Sequence, residues 1–265
     1  MNMFRRELKA HRKSLLIWCV GVVFLIASGM AKYASLSTTD QSLNDLMGEM
    51  PKSLQAIMGS SSLDLATAIG YFGVLYVYLI VMAGIHAAML GANIIAKEER
   101  DKTTEFLLVK PISRSNMITA KLLAALVNML IFNLMTFITS VFMVQQYSNG
   151  AEVTADITTL MAGMYLLQLI FMAIGTAIAA LAKNPKSAPS MATGVLLIAF
   201  ILSIAVNMSS RLETLKYLTP FKYFEAKNLI GGGELATFYV ILSIIIVASL
   251  FAVTYIFYKK RDLNV

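Results

Sequence analysis

A single cysteine, Cys19, leaves this 265-residue chain unable to form an internal disulfide, and no cysteine pair offers a metal site. Histidine is nearly as scarce. With only His11 and His86 there is no H-E-x-x-H helix, and Glu98-Glu99 lacks a partner histidine in a neighbouring span to hold a metal. The G-x-S-x-G nucleophile elbow is missing too, since Gly59-Ser60-Ser61-Ser62 lacks its closing glycine. A phosphate-binding loop, G-x-x-x-x-G-K-[ST], is also absent: Lys13, Lys52, Lys102 and Lys186 precede Ser or Thr, but follow Arg12, Pro51, Asp101 and Pro185, never glycine. These gaps exclude hydrolysis, including that of ATP, from the expected repertoire of the chain. Charge is scarce as well: Asp, Glu, Lys and Arg make up 14% of the residues against 58% hydrophobic, with a mean hydropathy of +0.71. A water-soluble domain is excluded on that balance.

Long uncharged windows stand in place of the missing charge, at 14–31, 65–96, 122–151, 157–182, 187–210 and 235–258. About 20 apolar residues rising 1.5 Å each cross the roughly 30 Å hydrocarbon layer, so each window predicts one transmembrane helix. The expected fold is all-α and polytopic, a single transmembrane domain over 1–265 with spans near 14–32, 66–96, 118–145, 159–182, 188–208 and 235–258. The window 65–96 is long enough to raise the question of two short helices. Its glycines (Gly70, Gly73, Gly84, Gly91) are scattered and no proline or charge interrupts it, and a turn exposed to lipid would leave backbone groups unpaired. One long helix projecting past the membrane is expected.

Basic residues near membrane segments are retained on the cytoplasmic side. Sixteen of the 22 Lys and Arg fall in the N-terminal stretch, the 97–121 segment, the 183–187 turn and the C-terminal tail, and six in the other three loops. Both termini are therefore expected in the cytoplasm, as an even number of spans requires. The net charge of +7 then needs no nucleic acid to explain it. A basic stretch before an apolar run is also the grammar of a signal peptide, but this run exceeds the usual h-region. Phe4, Leu8 and Leu15 among basic residues look more like a short interfacial helix feeding a retained span, with Trp18 at headgroup level.

In the first outer loop, Leu43, Leu46, Met47, Met50, Leu54, Ile57 and Met58 recur at helical spacing, with Pro51 placed to kink the element. The 97–114 stretch is charged, then apolar at Phe106, Leu107 and Leu108, then stopped by Pro111. Ser113 suits the N-cap of the next helix, with Ile112 and Met117 as its hydrophobic staple. Such a hairpin could dock a soluble partner or lie solvated on anionic headgroups, and the residues alone leave both open.

Thr103-Thr104-Glu105-Phe106-Leu107-Leu108-Val109-Lys110-Pro111-Ile112-Ser113-Arg114, with Lys121 after it, resembles the signature of the type 2 ABC transporter permeases (the ABC-2 family). In that family a Gly-Thr-x-Glu-x-Leu-Leu stretch leads to Pro-x-Ser-Arg and a following Lys; Lys102 stands where glycine is usual. Glu7-Leu8-Lys9 with Arg12-Lys13-Ser14 through Trp18, and Leu218-Thr219-Pro220-Phe221-Lys222-Tyr223-Phe224, resemble the same family in the same order. The resemblance implies a coupling hairpin that sits in a cleft of a separate ATPase subunit, with Glu98, Glu99, Arg100, Thr103, Glu105, Phe106 and Leu107 as contacts. It implies an N-terminal elbow helix lying along the cytoplasmic leaflet, carrying Phe4, Arg5, Leu8 and Arg12. It also implies an outer re-entrant segment within 207–234, built on Pro220, Phe221, Tyr223 and Phe224. ATP and Mg would be bound by the partner ATPase, this chain holding no cofactor, and a second permease chain would complete the path. The plasma membrane is the location the resemblance suggests.

Two other functions compete with an exporter subunit. Ion-coupled secondary transport normally needs ionisable groups inside the membrane, and His86 is the candidate, although a packing histidine suits its apolar neighbours better. Asn93, Asn128, Asn133, Gln168 and Asn207 are expected to glue helices rather than to bind an ion. A membrane sensor or structural subunit without an ATPase is the other alternative. Gly163, Ala173, Gly175, Ala177, Ala179 and Ala180 of the fourth span predict a close helix approach.

Overall fold

The computed structural model describes residues 2–36, 43–48, 50–59, 63–101, 113–148 and 150–260. All regular structure among them is helical. In chain order the elements are α1 (Asn2–Leu36), α2 (Leu43–Gly48), α3 (Lys52–Met58), α4 (Ala68–Arg100), α5 (Arg114–Gln146), α6 (Thr154–Leu181), α7 (Ala188–Met208), α8 (Ala226–Leu229) and α9 (Thr237–Lys260), with 3₁₀ segments at Ser210–Leu218 and Pro220–Lys222. Among the described residues, six helices (α1, α4, α5, α6, α7 and α9) are long and apolar enough to cross a membrane. The molecule is a polytopic all-α membrane protein.

Helix limits follow local chemistry. Thr67 sits in extended backbone before α4 and its hydroxyl accepts from Gly70 N at 3.1 Å; Ser113 does the same for α5, accepting from Asn116 N at 3.3 Å. Each satisfies one of the orphan donors of a first turn. In the 183–187 turn, Asn184 Oδ1 accepts from Lys186 N at 3.0 Å and Ser187 Oγ donates to Asn184 O at 2.9 Å. Pro189 then occupies the first turn of α7, where its missing N–H costs nothing. Pro51 separates α2 from α3, and α3 ends at Gly59 with a φ of 65°, a left-handed cap that glycine adopts without strain.

The expectation of a distinct interfacial helix at the N-terminus meets a different geometry. Residues 2–36 form one continuous helix. No proline occurs in it and its first glycine is Gly21, so nothing in the basic stretch interrupts the hydrogen-bond ladder. Trp18 is half-buried and packs its ring 5.5 Å from that of His86. The window 65–96 is a single 33-residue helix, α4, about 50 Å long against a hydrocarbon layer of about 30 Å, so it tilts or projects beyond it.

α4 and α6 form the centre and pack most extensively on each other. Their most apolar stretches are 61% and 67% buried, against 22% for α1 and α7 and 11% for α9. The close approach lies inside this chain: a Cβ on Gly91 would stand 2.3 Å from Met172 O, and one on Gly175 would stand 2.3 Å from Ala88 O. Glycine at both positions lets two backbones meet where any side chain would collide. Polar side chains add cross-links. Tyr76 Oη donates to Leu160 O at 2.9 Å, Asn133 Nδ2 donates to Met161 O at 3.2 Å and to Gln168 Oε1 at 3.4 Å, and the Thr176 and Thr254 hydroxyls lie 3.1 Å apart. Around this centre, α1 packs on α5 and α4, α7 on α4 and α6, and α9 on α6. Leu16, Ile17, Val20 and Phe24 of α1 stay exposed, as do Ile198 and Ile201 of α7 and Ile241, Ile244 and Ile245 of α9. Such wide apolar faces are stable against lipid or another apolar chain, not water.

Candidate functional site

α4 and α5 run antiparallel, and residues 102–112 join them at the end of the bundle where α1 begins and α9 stops. Thr103, Glu105, Phe106 and Leu107 lie in that joining segment, outside the described residues. The foot of the segment is described, and it carries an unusual amount of buried charge. Glu98, in the last turn of α4, is 5% exposed, and Lys121, two turns into α5, is fully buried. Lys121 Nζ donates to Ile94 O at 2.7 Å and makes a very close ion pair with Glu98 Oε2. The other Glu98 oxygen accepts from Arg6 Nη2 of α1 at 3.2 Å. Arg6 also pairs with Glu7 at 3.0 Å, and Lys97 Nζ stands 3.9 Å from the second oxygen of Glu7, which is itself fully buried. Two carboxylates and three cations thus fasten α1, α4 and α5 together. A charge buried in an apolar bundle persists only when so paired.

The neighbouring groups extend the fastening outward. Arg100 Nη1 donates to Asn93 Oδ1 at 2.7 Å and its Nε to Asp101 at 3.1 Å. At the start of α5, Arg114 Nη1 donates to Lys259 O at 3.0 Å, and Thr119 and Tyr255 share a 2.7 Å hydroxyl contact, which ties α5 to α9. Both helices leaving the 102–112 segment are therefore anchored to other spans.

Of the residues expected to contact a partner, Glu98 faces inward and is committed to Arg6 and Lys121, while Glu99 and Arg100 are partly exposed. Phe4 and Leu8 pack against the core of the bundle, and Arg5 and Arg12 are exposed, as the two faces of one helix. Glu7 and Lys121 belong to the sequence motifs, but their burial has no signal in the sequence, because charges flanking an apolar window ordinarily read as solvated.

At the opposite end, Pro220, Phe221, Tyr223 and Phe224 are all buried. The Phe221 ring lies 5.4 Å from Phe171 and 5.3 Å from Phe200, and Tyr223 stacks on Tyr239 at 4.8 Å, so the segment is wedged among α6, α7 and α9. Burial, and then Tyr239 nearby, pushes the Tyr223 phenol up to about 12, and it stays a donor, bonded closely to Tyr217 O. Gly231 and Gly232, at φ of 74° and 81°, turn their N–H groups onto Asp156 Oδ1 at 3.1 and 3.3 Å. These glycines form a turn that only glycine adopts easily.

His86 is sandwiched, 5.5 Å from the Trp18 ring and stacked 4.9 Å from Phe132. That is the setting of a packing histidine. Among the described residues no cluster of three or more His, Cys, Asp or Glu could hold a metal ion.

Compared with known proteins, residues 1–263 match the sequence profile of a family described as ABC-2 family transporter protein. No curated protein matches the chain.

Proposed function

Because the chain belongs to the ABC-2 family of transporter proteins across residues 1–263, we propose that it is the membrane-spanning permease subunit of an ATP-binding-cassette exporter. In this reading a separate ATPase subunit binds ATP and Mg, both termini and the 98–114 hairpin face the cytoplasm of a plasma membrane, and the hairpin docks in the ATPase. A second permease chain and lipid share the apolar faces that this chain leaves uncovered.

The observation that carries the reading is the ion-pair cluster at the root of the hairpin. A docked element transmits force only if its two supporting helices cannot slide freely. Lys121 and Glu98 lock α5 to α4, and Arg6 on Glu98 with Lys97 near Glu7 ties α4 to α1, so closure of an ATPase would move three spans as one body. Glu98 then serves as an internal strut, and the contact role falls to the partly exposed Glu99 and Arg100 and to Thr103, Glu105, Phe106 and Leu107. Ion-coupled transport has less support, since His86 is held between rings.

The test is affinity purification of the tagged chain from its native membrane in mild detergent. A soluble subunit with a phosphate-binding loop should co-purify and give ATPase activity. Glu105→Arg with Phe106→Ala should abolish that association and leave membrane insertion intact. An ATPase-free chain from the same membranes, or association untouched by the double substitution, would overturn the docking role.

A further inference from the structure

Deeper in the bundle than the ion-pair cluster, His11, Ser14 and Trp18 of α1, His86 and Asn93 of α4 and Asn128 of α5 line a small cavity of about 40 Å³. It lies on the same faces of the three helices as the cluster. Glu7 precedes His11 by one turn, Lys97 follows Asn93 by one turn, and Lys121 precedes Asn128 by two. From Glu7 to Ser14, as from Lys121 to Asn128, is seven residues, or about 10 Å. The cavity therefore carries a polar seam that far into an otherwise apolar bundle.

His86 is 3% exposed and Asn128 2%. Asn128 stands close enough to His86 to act on it, yet among the described residues neither His86 Nδ1 nor Asn128 Oδ1 has a hydrogen-bond partner, and neither has His11 Nε2. Buried polar atoms are costly to leave unbonded, and three of them around one cavity point to an occupant that bonds to all three. Their chemistry selects it. Asn128 Oδ1 requires a donor, while each nitrogen of a neutral imidazole takes a donor or an acceptor according to the tautomer. Water does both. A small anion has no proton for Asn128, and a metal ion would join three cations, Lys97, Lys121 and Arg100, that act on His11 against the single carboxylate of Glu7. A water needs roughly 10–15 Å³ and at least two polar partners, so a cavity of about 40 Å³ holds a short cluster.

We propose that this cavity is a binding site for a small cluster of water molecules that bridges His11 of α1 to His86 of α4 and Asn128 of α5. The waters continue the fastening of these three helices beyond the ion pairs. They hold the polar edge of His86, while Trp18 and Phe132 pack around its ring. The site stands whether or not the 98–114 hairpin docks an ATPase.

The test is radiolytic hydroxyl labelling of the full-length chain in lipid nanodiscs, read residue by residue by mass spectrometry. X-ray pulses split water where it sits, and the radicals modify the side chains that touch it. His86 should be modified and the fully buried Met172 of α6 should not, although a thioether is the more reactive group; this comparison within the parent chain needs no variant. A radical scavenger in the buffer should quench labelling of the exposed Tyr217 and spare His86. Asn128→Leu, which removes a polar partner and fills the space, should abolish labelling of His86 in protein that elutes like the parent. His86 labelled no more than Met172 would show that His86 and Asn128 bond directly in a dry contact, and overturns the proposal. Equal quenching of His86 and Tyr217, or labelling of His86 undiminished by Asn128→Leu, would trace the radicals to the buffer and overturn it as well. One equivalent of zinc or copper retained by the parent chain and lost in His86→Phe, measured by elemental mass spectrometry, would assign the cavity to a metal ion instead of water.

Discussion

Gly91→Leu should leave little folded protein in detergent, and Gly91→Ala should already lower the thermal midpoint clearly. The atoms that a new Cβ would meet belong to the backbone: at Gly91 the Met172 carbonyl oxygen, 2.3 Å away, and at Gly175 the Ala88 carbonyl oxygen, also 2.3 Å away. Backbone in a helix cannot swing aside as a flexible side chain can, so α4 and α6 must separate along their most extensive contact. Alanine would gain up to about 1 kcal/mol from helix propensity, but overpacking of this kind costs about 1–3 kcal/mol or more, and the second effect wins. Gly194 on α7 supplies the control, because a Cβ there has nothing within 4 Å. Gly194→Ala should be neutral or slightly stabilising. Equal melting behaviour of Gly91→Ala and Gly194→Ala, followed by fluorescence or size-exclusion after heating, would show that the α4–α6 approach is not what holds the bundle together.

That pair of glycines also marks where sequence reading reaches its limit. The six spans were legible because an uncharged run of membrane length has one stable solution in lipid, and the N-caps Thr67 and Ser113 sit at helix starts for reasons of a few neighbouring residues. The small residues of α6 announced a close approach but not its partner, since nothing local says that Gly175 meets Ala88 rather than a residue of another span. Continuity of α1 was hidden by charge. Arg5, Arg6, Lys9, Arg12 and Lys13 suggest an interfacial element, yet they are good helix formers and no breaker separates them from the apolar run. Lys121 and Glu7 were least legible of all. A lysine near a helix end is solvated by default, and only the three-dimensional meeting of α1, α4 and α5 turns it into a buried partner for Glu98.

Glu98→Leu should cost about 3–5 kcal/mol, the range for breaking one side of a buried ion pair. It strips Lys121 of the carboxylate it pairs with and leaves a fully buried ammonium on the carbonyl of Ile94. Lys121→Met should cost less, because Glu98 keeps Arg6, whose side chain is 47% exposed and so within reach of water. Removing both charges at once should recover most of the loss, since an apolar pair of similar size avoids the desolvation penalty altogether. Thermal midpoints of the two single variants and the double variant form a cycle that isolates the pair. A Glu98→Leu chain no less stable than the Glu98→Leu/Lys121→Met chain would show that Lys121 finds another partner. The double variant then separates stability from coupling. If the pair only holds the fold, this stable variant should export at the parent's rate with the ATPase present. A strut that carries ATPase motion from the hairpin into α1 and α5 should instead give a folded, inserted chain that still binds the ATPase, while ATP is hydrolysed without matching transport.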